Sequence, residues 1–192
     1  MADEISSVGD ILDKLEDLAS KDDRVHIGGF VEAFGQRSYG PFLLVPALLE
    51  ISPVGGIPGV PTVLAAIILL FAVQMLFGRK HLWLPRFVSA RSLDGERVAK
   101  GADKLRGLAR FLDRWFHGRL ATFTKGLWVR IAAALVIVLT LTVPPLELLP
   151  FASTAPMAAI AAFGLALLVR DGALMIVAFI AAGLALALGV GW

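Results

Sequence analysis

Two glutamates occupy equivalent places in two apolar stretches of the chain, and they are the residues best suited to chemistry. Glu50 ends an apolar run shortly before Pro53, and Glu147 precedes Pro150 in the same way. A charged side chain costs about 3 kcal/mol or more at the centre of a bilayer, so it usually serves a function there. Burial favours the protonated carboxyl, so the two positions suggest a proton or cation site. Alternatively, both glutamates lie at a solvated interface or cap the next helix.

Two further polar residues belong to the same candidate site. Arg37 lies between two glycines in GQRSYG, where it could bind a phosphate or pair with a carboxylate such as Glu50. The alternative for Arg37 is an interfacial side chain that reaches the lipid headgroups. Gln74 interrupts an apolar run and predicts a hydrogen bond between helices, with a substrate contact as the alternative.

Other kinds of site find little support in the sequence. The three histidines (His26, His81 and His117) are scattered, and cysteine is absent, so no zinc-like spacing exists. Residues 58–61 lack the lysine of a phosphate-binding loop. No nucleophile lies near a base, and Ser153 is expected to hydrate or cap a chain break. We therefore predict no metal, no cofactor and no enzymatic activity.

The composition places these residues in a membrane protein. The chain has 192 residues, of which 57% are hydrophobic and 18% charged, and its mean hydropathy is +0.78. Soluble domains have about 45–50% apolar and roughly 25% charged residues. A chain this short cannot hide the excess in one aqueous core, so we predict an all-α integral membrane protein.

The lengths of the apolar runs predict broken helices. The runs cover residues 41–51, 60–77, 127–143, 157–169 and 172–191. A helix needs about 20 residues to cross the hydrocarbon layer, so the first and fourth runs are too short. Short runs bounded by proline and glycine are typical of re-entrant or discontinuous helices.

The basic residues are concentrated between the two apolar halves. Residues 78–130 hold thirteen Lys and Arg against four acids, and apolar residues recur there at helical spacing. An amphipathic helix with a basic face predicts an interfacial linker that binds anionic lipid headgroups on the cytoplasmic side of the membrane. Nucleic-acid binding is the alternative, but the flanking apolar runs disfavour it. The predicted interface residues are Arg79, Lys80, Trp83, Arg86, Arg110, Arg114 and Trp115.

The two halves of the chain resemble each other. PALLEISP at 46–53 precedes an apolar helix that begins at Pro61, and PPLELLP at 144–150 precedes one that begins at Pro156. Each half thus has Glu-x-x-Pro, a break, a proline and an apolar helix, and Arg79 corresponds to Arg170. Chance similarity between apolar segments is the alternative. Corresponding broken segments predict a two-fold internal repeat with a midplane site; the sequence leaves its orientation open, with an inverted repeat as the working expectation.

We predict one membrane domain over 1–192. Its parts are amphipathic N-terminal helices over 1–34, including one over 25–34, a first repeat over 35–78, the basic linker over 79–126, and a second repeat with a final transmembrane helix over 127–192. Each half would form a hairpin with both ends cytoplasmic, and the last helix would cross the membrane. The small residues of 183–191 let helices approach closely, which predicts a homo-oligomer, a dimer in particular.

The chain resembles the ExoD family of bacterial membrane proteins over most of residues 5–190, and the specific part of the resemblance is 35–93. The resemblance rests on GQRSYGP at 35–41, on PGVPTVLAAIILLFAVQMLFGRKHLWLPRF at 58–87 and on ARSL at 90–93. The chain departs from the family at Gln36, where an acid is common. The resemblance implies an inner-membrane protein that supports exopolysaccharide production, with no enzymatic chemistry to carry over.

Two hypotheses for function follow. The first is a small transporter or an ion- or proton-handling protein that uses Glu50 and Glu147. The second is a structural or regulatory scaffold that binds anionic lipid or exopolysaccharide machinery through the linker. The first requires both carboxylates to face one shared buried cavity, whereas the second lets them face water or headgroups and be neutralised harmlessly.

Overall fold

The computed structural model describes Asp13 and residues 24–26, 39–78, 92–94, 121–147 and 152–190. The chain divides into two compact units, Met1–Gln36 with Lys80–His117, and Arg37–Arg79 with Gly118–Trp192.

A short antiparallel ribbon is the described part of the first unit, apart from Asp13. Strand β1 (Arg24–His26) pairs with β2 (Ser92–Asp94), with Arg24 opposite Asp94. The helix predicted over 25–34 is wrong at its first two residues, because pairing with a distant segment holds them extended. The remainder of that prediction and the other predicted N-terminal helix, apart from the helical Asp13, lie outside the described residues.

Five helices form the described core of the second unit. They are α1 (Tyr39–Ile51), α2 (Val60–Leu76), α3 (Leu127–Leu146), α4 (Thr154–Val169) and α5 (Gly172–Val190). Two single-turn 3-10 helices, Pro53–Gly56 and Ala121–Thr124, precede α2 and α3. The five helices follow the five predicted apolar runs, and apart from the ribbon the described elements are helical, which confirms the helical part of the predicted fold class.

The second break begins later than predicted. We expected the apolar run to stop at Pro144, but α3 continues through Pro144 and Pro145 to Leu146. Each proline removes an N–H donor and brings its ring against the carbonyl four residues earlier, yet the helix continues through both and ends one residue later. The break therefore starts at Glu147, whose N–H still donates to the Val143 carbonyl over 2.9 Å.

The helices alternate in direction. The C-terminal ends of α1 and α3 and the N-terminal ends of α2 and α4 line one cavity, and we call this side of the unit the cavity end. Helices α1 and α3 run towards the cavity end, and α2 and α4 run away from it. Helix α5 follows α4 after a two-residue turn and runs back beside it.

The strongest helix contacts connect the two halves of the sequence. Helix α1 contacts α4 most extensively, and α2 contacts α3. Where α1 crosses α4, the backbones touch: a Cβ atom on Gly164 would lie 2.7 Å from the Leu44 nitrogen and 2.9 Å from the Gly40 oxygen. Only a residue without a side chain permits this approach.

The middle of α5 buries small side chains and exposes large apolar ones. On α5, Ala178, Ala182 and Ala185 are buried, whereas Ile180 and Leu184 are 58% and 61% exposed. By length and composition, one described helix, α3, could cross a membrane, and the other four are apolar over shorter stretches. The outer surface of the described helices is thus rich in unpartnered apolar side chains.

The turn between α4 and α5 is held by its own two residues. Arg170 has a left-handed backbone conformation with φ of 51°. Asp171 is buried and accepts a hydrogen bond of 3.0 Å from the Leu174 N–H, so it caps the start of α5. The left-handed residue after α2 is Gly78. The predicted correspondence of Arg170 with Arg79 stays a prediction, because Arg79 lies outside the described residues.

Candidate functional site

Glu50 is a buried carboxyl with only half of its hydrogen-bonding capacity used. It lies in the last turn of α1 and is 4% exposed. Its Oε1 accepts a hydrogen bond from the hydroxyl of Ser153. Its Oε2 is buried and has no hydrogen-bond partner among the described residues. A buried ionised oxygen without a partner is costly, so this carboxyl needs a proton or a cation.

Glu147 has a different environment at the end of α3. It is half-exposed and accepts hydrogen bonds from the Gly59 N–H and the Thr62 hydroxyl. The Thr62 hydroxyl, followed by the Gly59 N–H, holds the pKa of Glu147 below its ordinary value. The carboxylate also lies at the positive end of α2. Glu147 therefore behaves as an ionised helix cap, one of the two alternatives that the sequence left open.

The two glutamates connect the halves in the same way. Glu50 ends the first helix of its half and bonds Ser153, the residue that precedes α4. Glu147 ends the first helix of the other half and bonds Gly59, the residue that precedes α2. Because α1 and α3 end at the same cavity, the described helices give the halves a parallel sense and do not support the expected inverted orientation.

The chain break after α1 is compact and fixes the position of Glu50. The Ser52 hydroxyl donates to the Leu49 carbonyl over 2.6 Å and accepts from the Val54 N–H over 3.3 Å. The Gly55 N–H donates to the Ser52 carbonyl over 3.0 Å. A Cβ atom on Gly55 would lie 1.8 Å from the Glu50 carbonyl oxygen. The backbone at Gly55 thus rests directly on the end of α1.

The four helix ends enclose a cavity of about 860 Å³. Both glutamates line it, together with hydroxyl residues from the two breaks and four prolines. Prolines present a carbonyl but no N–H, and none of the described lining residues is Lys, Arg, His, Asn or Gln. The lining side chains therefore offer oxygen acceptors and no cationic or amide group, and both glutamates contribute to the lining. Because Glu147 is half-exposed, the buried cavity around both carboxylates that the first hypothesis requires stays a prediction.

The predicted site residues separate into three groups. Pro53 lines the cavity beside Glu50. Gln74 does not reach it, because it lies twelve residues beyond Thr62 on α2, about 18 Å along the helix axis; its amide donates to the Leu70 carbonyl of the same helix over 3.2 Å. The predicted residues outside the described part of the chain are Arg37, Pro150, Arg79, Lys80, Trp83, Arg86, Arg110, Arg114 and Trp115.

Three partners of the glutamates escaped the sequence reasoning. Gly59 and Thr62 stand at the start of α2, and only their position before a proline-containing helix could have marked them. Ser153 was expected to hydrate or cap the break, and it does precede α4. Its side chain, however, makes no capping hydrogen bond and donates to Glu50 instead.

The described residues contain no group of three or more His, Cys, Asp or Glu that could hold a metal ion. Within them, the site offers one buried and one half-exposed carboxyl, a hydroxyl donor and an acceptor-rich lining. The expected absence of metal, cofactor and enzymatic activity remains a prediction.

Comparison with known proteins gives the chain a family. The family model described as "Exopolysaccharide synthesis, ExoD" matches residues 8–191. The chain is 35% identical over 136 residues to Protein ExoD of Rhizobium meliloti (strain 1021), an alignment that covers 68% of this chain and 56% of that relative. The alignment thus spans little more than half of the length of this curated relative. No solved structure matches. The family match over nearly the whole chain establishes that the protein belongs to the ExoD family of exopolysaccharide synthesis proteins.

Proposed function

We propose that this protein is a multi-pass protein of the bacterial inner membrane that supports exopolysaccharide synthesis or secretion by handling protons or small cations. The observation that carries the proposal is the buried Glu50 carboxyl, one oxygen of which lacks a hydrogen-bond partner among the described residues. Ion handling requires a group whose charge is satisfied only when a proton or cation is present. Glu50 has this property, and Glu147 lines the same cavity.

A membrane location is supported by the distribution of side chains. Membrane helices pack through small residues, because lipid leaves no hydrophobic force to hold large ones together. The alanines inside and the exposed isoleucine and leucines outside on α5 follow this pattern. Helix α3, with 20 residues, is about 30 Å long, the thickness of the hydrocarbon layer. Helix α1, with 13 residues, reaches only about 20 Å, which is shorter than that layer.

The charges support an orientation for these helices. Lys125, Arg130 and Arg170 stand at the helix ends opposite the cavity end, and residues 78–130 hold thirteen basic residues in all. Basic segments remain on the cytoplasmic side. The linker and both hairpin ends would then be cytoplasmic, the cavity would open towards the outer side, and α5 would cross last.

The internal repeat forms part of the same proposal. The contacts α1 with α4 and α3 with α2 are equivalent if α1 corresponds to α3 and α2 to α4. The bonds of Glu50 and Glu147 to the residues before α4 and α2 are equivalent in the same sense. A parallel two-fold repeat, with its axis along the helices, accounts for both. A homodimer is the proposed assembly, and the apolar side chains exposed on the outer surface of the described helices would supply its interface.

Proton flux into proteoliposomes, reported by a trapped pH dye, tests the function. Wild type should conduct protons, and Glu50→Gln should reduce the flux to that of empty liposomes, because a neutral amide cannot carry a proton. Asp171→Asn is the matched control: it neutralises a buried carboxyl at the opposite end, and asparagine still caps a helix. Its flux should equal that of wild type.

The second candidate is a scaffold that transports nothing and binds anionic lipid or polysaccharide machinery through the linker. The half-exposed, helix-capping Glu147 favours it, because such a residue needs no transport role. A folded wild type without flux, together with a Glu50→Gln variant that supports normal polysaccharide output in cells, would contradict ion handling and leave the scaffold.

A further inference from the structure

We propose that the cavity is an exchange site in which a monovalent alkali cation replaces the proton of Glu50. The inference rests on the proposed ion-handling function and names the ion that competes with the proton. It is carried by the unpartnered, buried Oε2 of Glu50 and by the acceptor-rich lining around it.

The Glu50 carboxylate is too deeply buried to remain ionised alone. Glu50 is 4% exposed, and an ionised carboxyl left alone in such a place costs several kcal/mol in lost hydration. A proton removes the charge, and a cation beside the carboxylate compensates for it. The site is therefore satisfied by either ion, and the bare carboxylate is the state that it avoids.

The lining of the cavity suits a cation rather than an anion. Its described residues include two carboxyls, several hydroxyls and no Lys, Arg, His, Asn or Gln side chain. Oxygen ligands suit hard cations. The hydroxyls and helix N-termini can donate hydrogen bonds, but no lining side chain compensates the charge of an anion and the two carboxylates repel it, which disfavours a phosphate or sugar-phosphate.

A monovalent cation preserves the charge of the site. Glu147 accepts hydrogen bonds from Gly59 and Thr62, which stabilise its ionised form, whereas Oε2 of Glu50 has no partner among the described residues. One proton leaves the carboxyl of Glu50 as one monovalent cation arrives, and the total charge of the site stays the same. A divalent cation in place of that proton would raise the total charge of the site by one unit.

Ser153 positions the carboxylate for this exchange. Its hydroxyl donates to Oε1 of Glu50, which leaves Oε2 for the proton or cation. A donated hydrogen bond favours the ionised carboxylate. Because the Ser153 side chain makes no capping bond at α4, Ser153→Ala removes this donor without removing a helix cap.

Cation-induced proton release from the purified, weakly buffered protein in detergent tests the inference. Addition of NaCl or KCl should release about one proton per chain at saturation, whereas choline chloride at the same ionic strength should release none. The apparent cation Kd should rise about tenfold for each unit by which the pH is lowered, because one proton competes with one cation. Glu50→Gln should abolish the release.

Ser153→Ala is the control for a Glu50→Gln variant that releases no proton only because it does not fold. It keeps the carboxyl, so it should still release one proton per chain, but with a cation Kd roughly tenfold higher, the usual worth of a hydrogen bond to a charged group. Equal release by choline and alkali cations, or release that survives Glu50→Gln, would overturn the exchange site.

The outcome is separable from that of the proposed function. If proton flux depends on Glu50 but neither Na⁺ nor K⁺ releases a proton, the exchange site is wrong and proton handling stands. If flux and release are both absent from a folded wild type, both proposals are wrong.

Discussion

The contact between Gly40 and Gly164 gives a stability prediction that the structure makes quantitative. In Gly164→Ala, the new Cβ would lie 2.7 Å from the Leu44 nitrogen. The ordinary contact distance is at least 3.4 Å, so α1 and α4 must separate by more than half an ångström. The obstructing atoms belong to the backbone and cannot rotate away. Overpacking of this kind costs typically about 1–3 kcal/mol.

The same substitution also has a favourable part, which a matched control removes. Alanine in place of glycine within a helix stabilises it by about 1 kcal/mol. Gly183→Ala on α5 gains the same amount, but its Cβ meets nothing within 4 Å. The difference in unfolding free energy between the two variants therefore isolates the steric cost, and we expect Gly164→Ala to be less stable by about 1–3 kcal/mol.

Thermal unfolding in detergent, followed by circular dichroism, measures this difference. For a chain of this size, 1 kcal/mol corresponds to about 2–4 °C in Tm, so Gly164→Ala should melt roughly 2–12 °C below Gly183→Ala. Gly40→Ala should behave like Gly164→Ala. The double variant should lose less stability than the sum of the two single losses, because both substitutions separate the same two helices. Equal melting of Gly164→Ala and Gly183→Ala would refute the backbone contact between α1 and α4.

Three other predictions test the chain breaks and turns. Gly55→Ala should reduce ion flux and stability more than Gly56→Ala does. The added Cβ at Gly55 would lie 1.8 Å from a backbone oxygen at the end of α1, whereas one at Gly56 would meet nothing within 4 Å. Equal melting temperatures and equal flux of the two variants would disprove this arrangement. Arg170→Gly should be more stable to denaturant than Arg170→Ala by about 1–2 kcal/mol, since both lose the charge but only glycine adopts the left-handed backbone freely. A more stable alanine variant would contradict the left-handed conformation of residue 170. Glu147→Gln should be less stable than wild type at neutral pH. This difference should disappear as the pH falls below the ordinary pKa of 4.5 and through the lowered pKa of Glu147, because a carboxyl with a lowered pKa stabilises the fold only while it is ionised. A difference that persists in acid would exclude the ionised cap.

Several features of the fold were predictable because they depend on neighbouring residues. The five apolar runs predicted α1 to α5 to within a few residues, since proline and glycine interrupt helices locally. The placement of Glu50 and Glu147 at the ends of two apolar runs was equally visible, and so was the presence of a break after each. The end of α3 was missed by three residues, because the helix continues through both prolines.

The differences between the two glutamates depend on the tertiary structure. From the sequence they are equivalent, yet one is buried with an unpartnered oxygen and the other is a half-exposed helix cap. Their partners lie 103 and 88 residues away along the chain, beyond the reach of any local pattern. The pairing of β1 with β2 and the close approach of Gly40 to Gly164 also join distant segments. The sequence by itself thus determined which segments are helical and which residues end them, because these follow from local hydrophobicity and backbone freedom. Tertiary packing alone decided which helix ends meet and therefore which of the two carboxyls is buried.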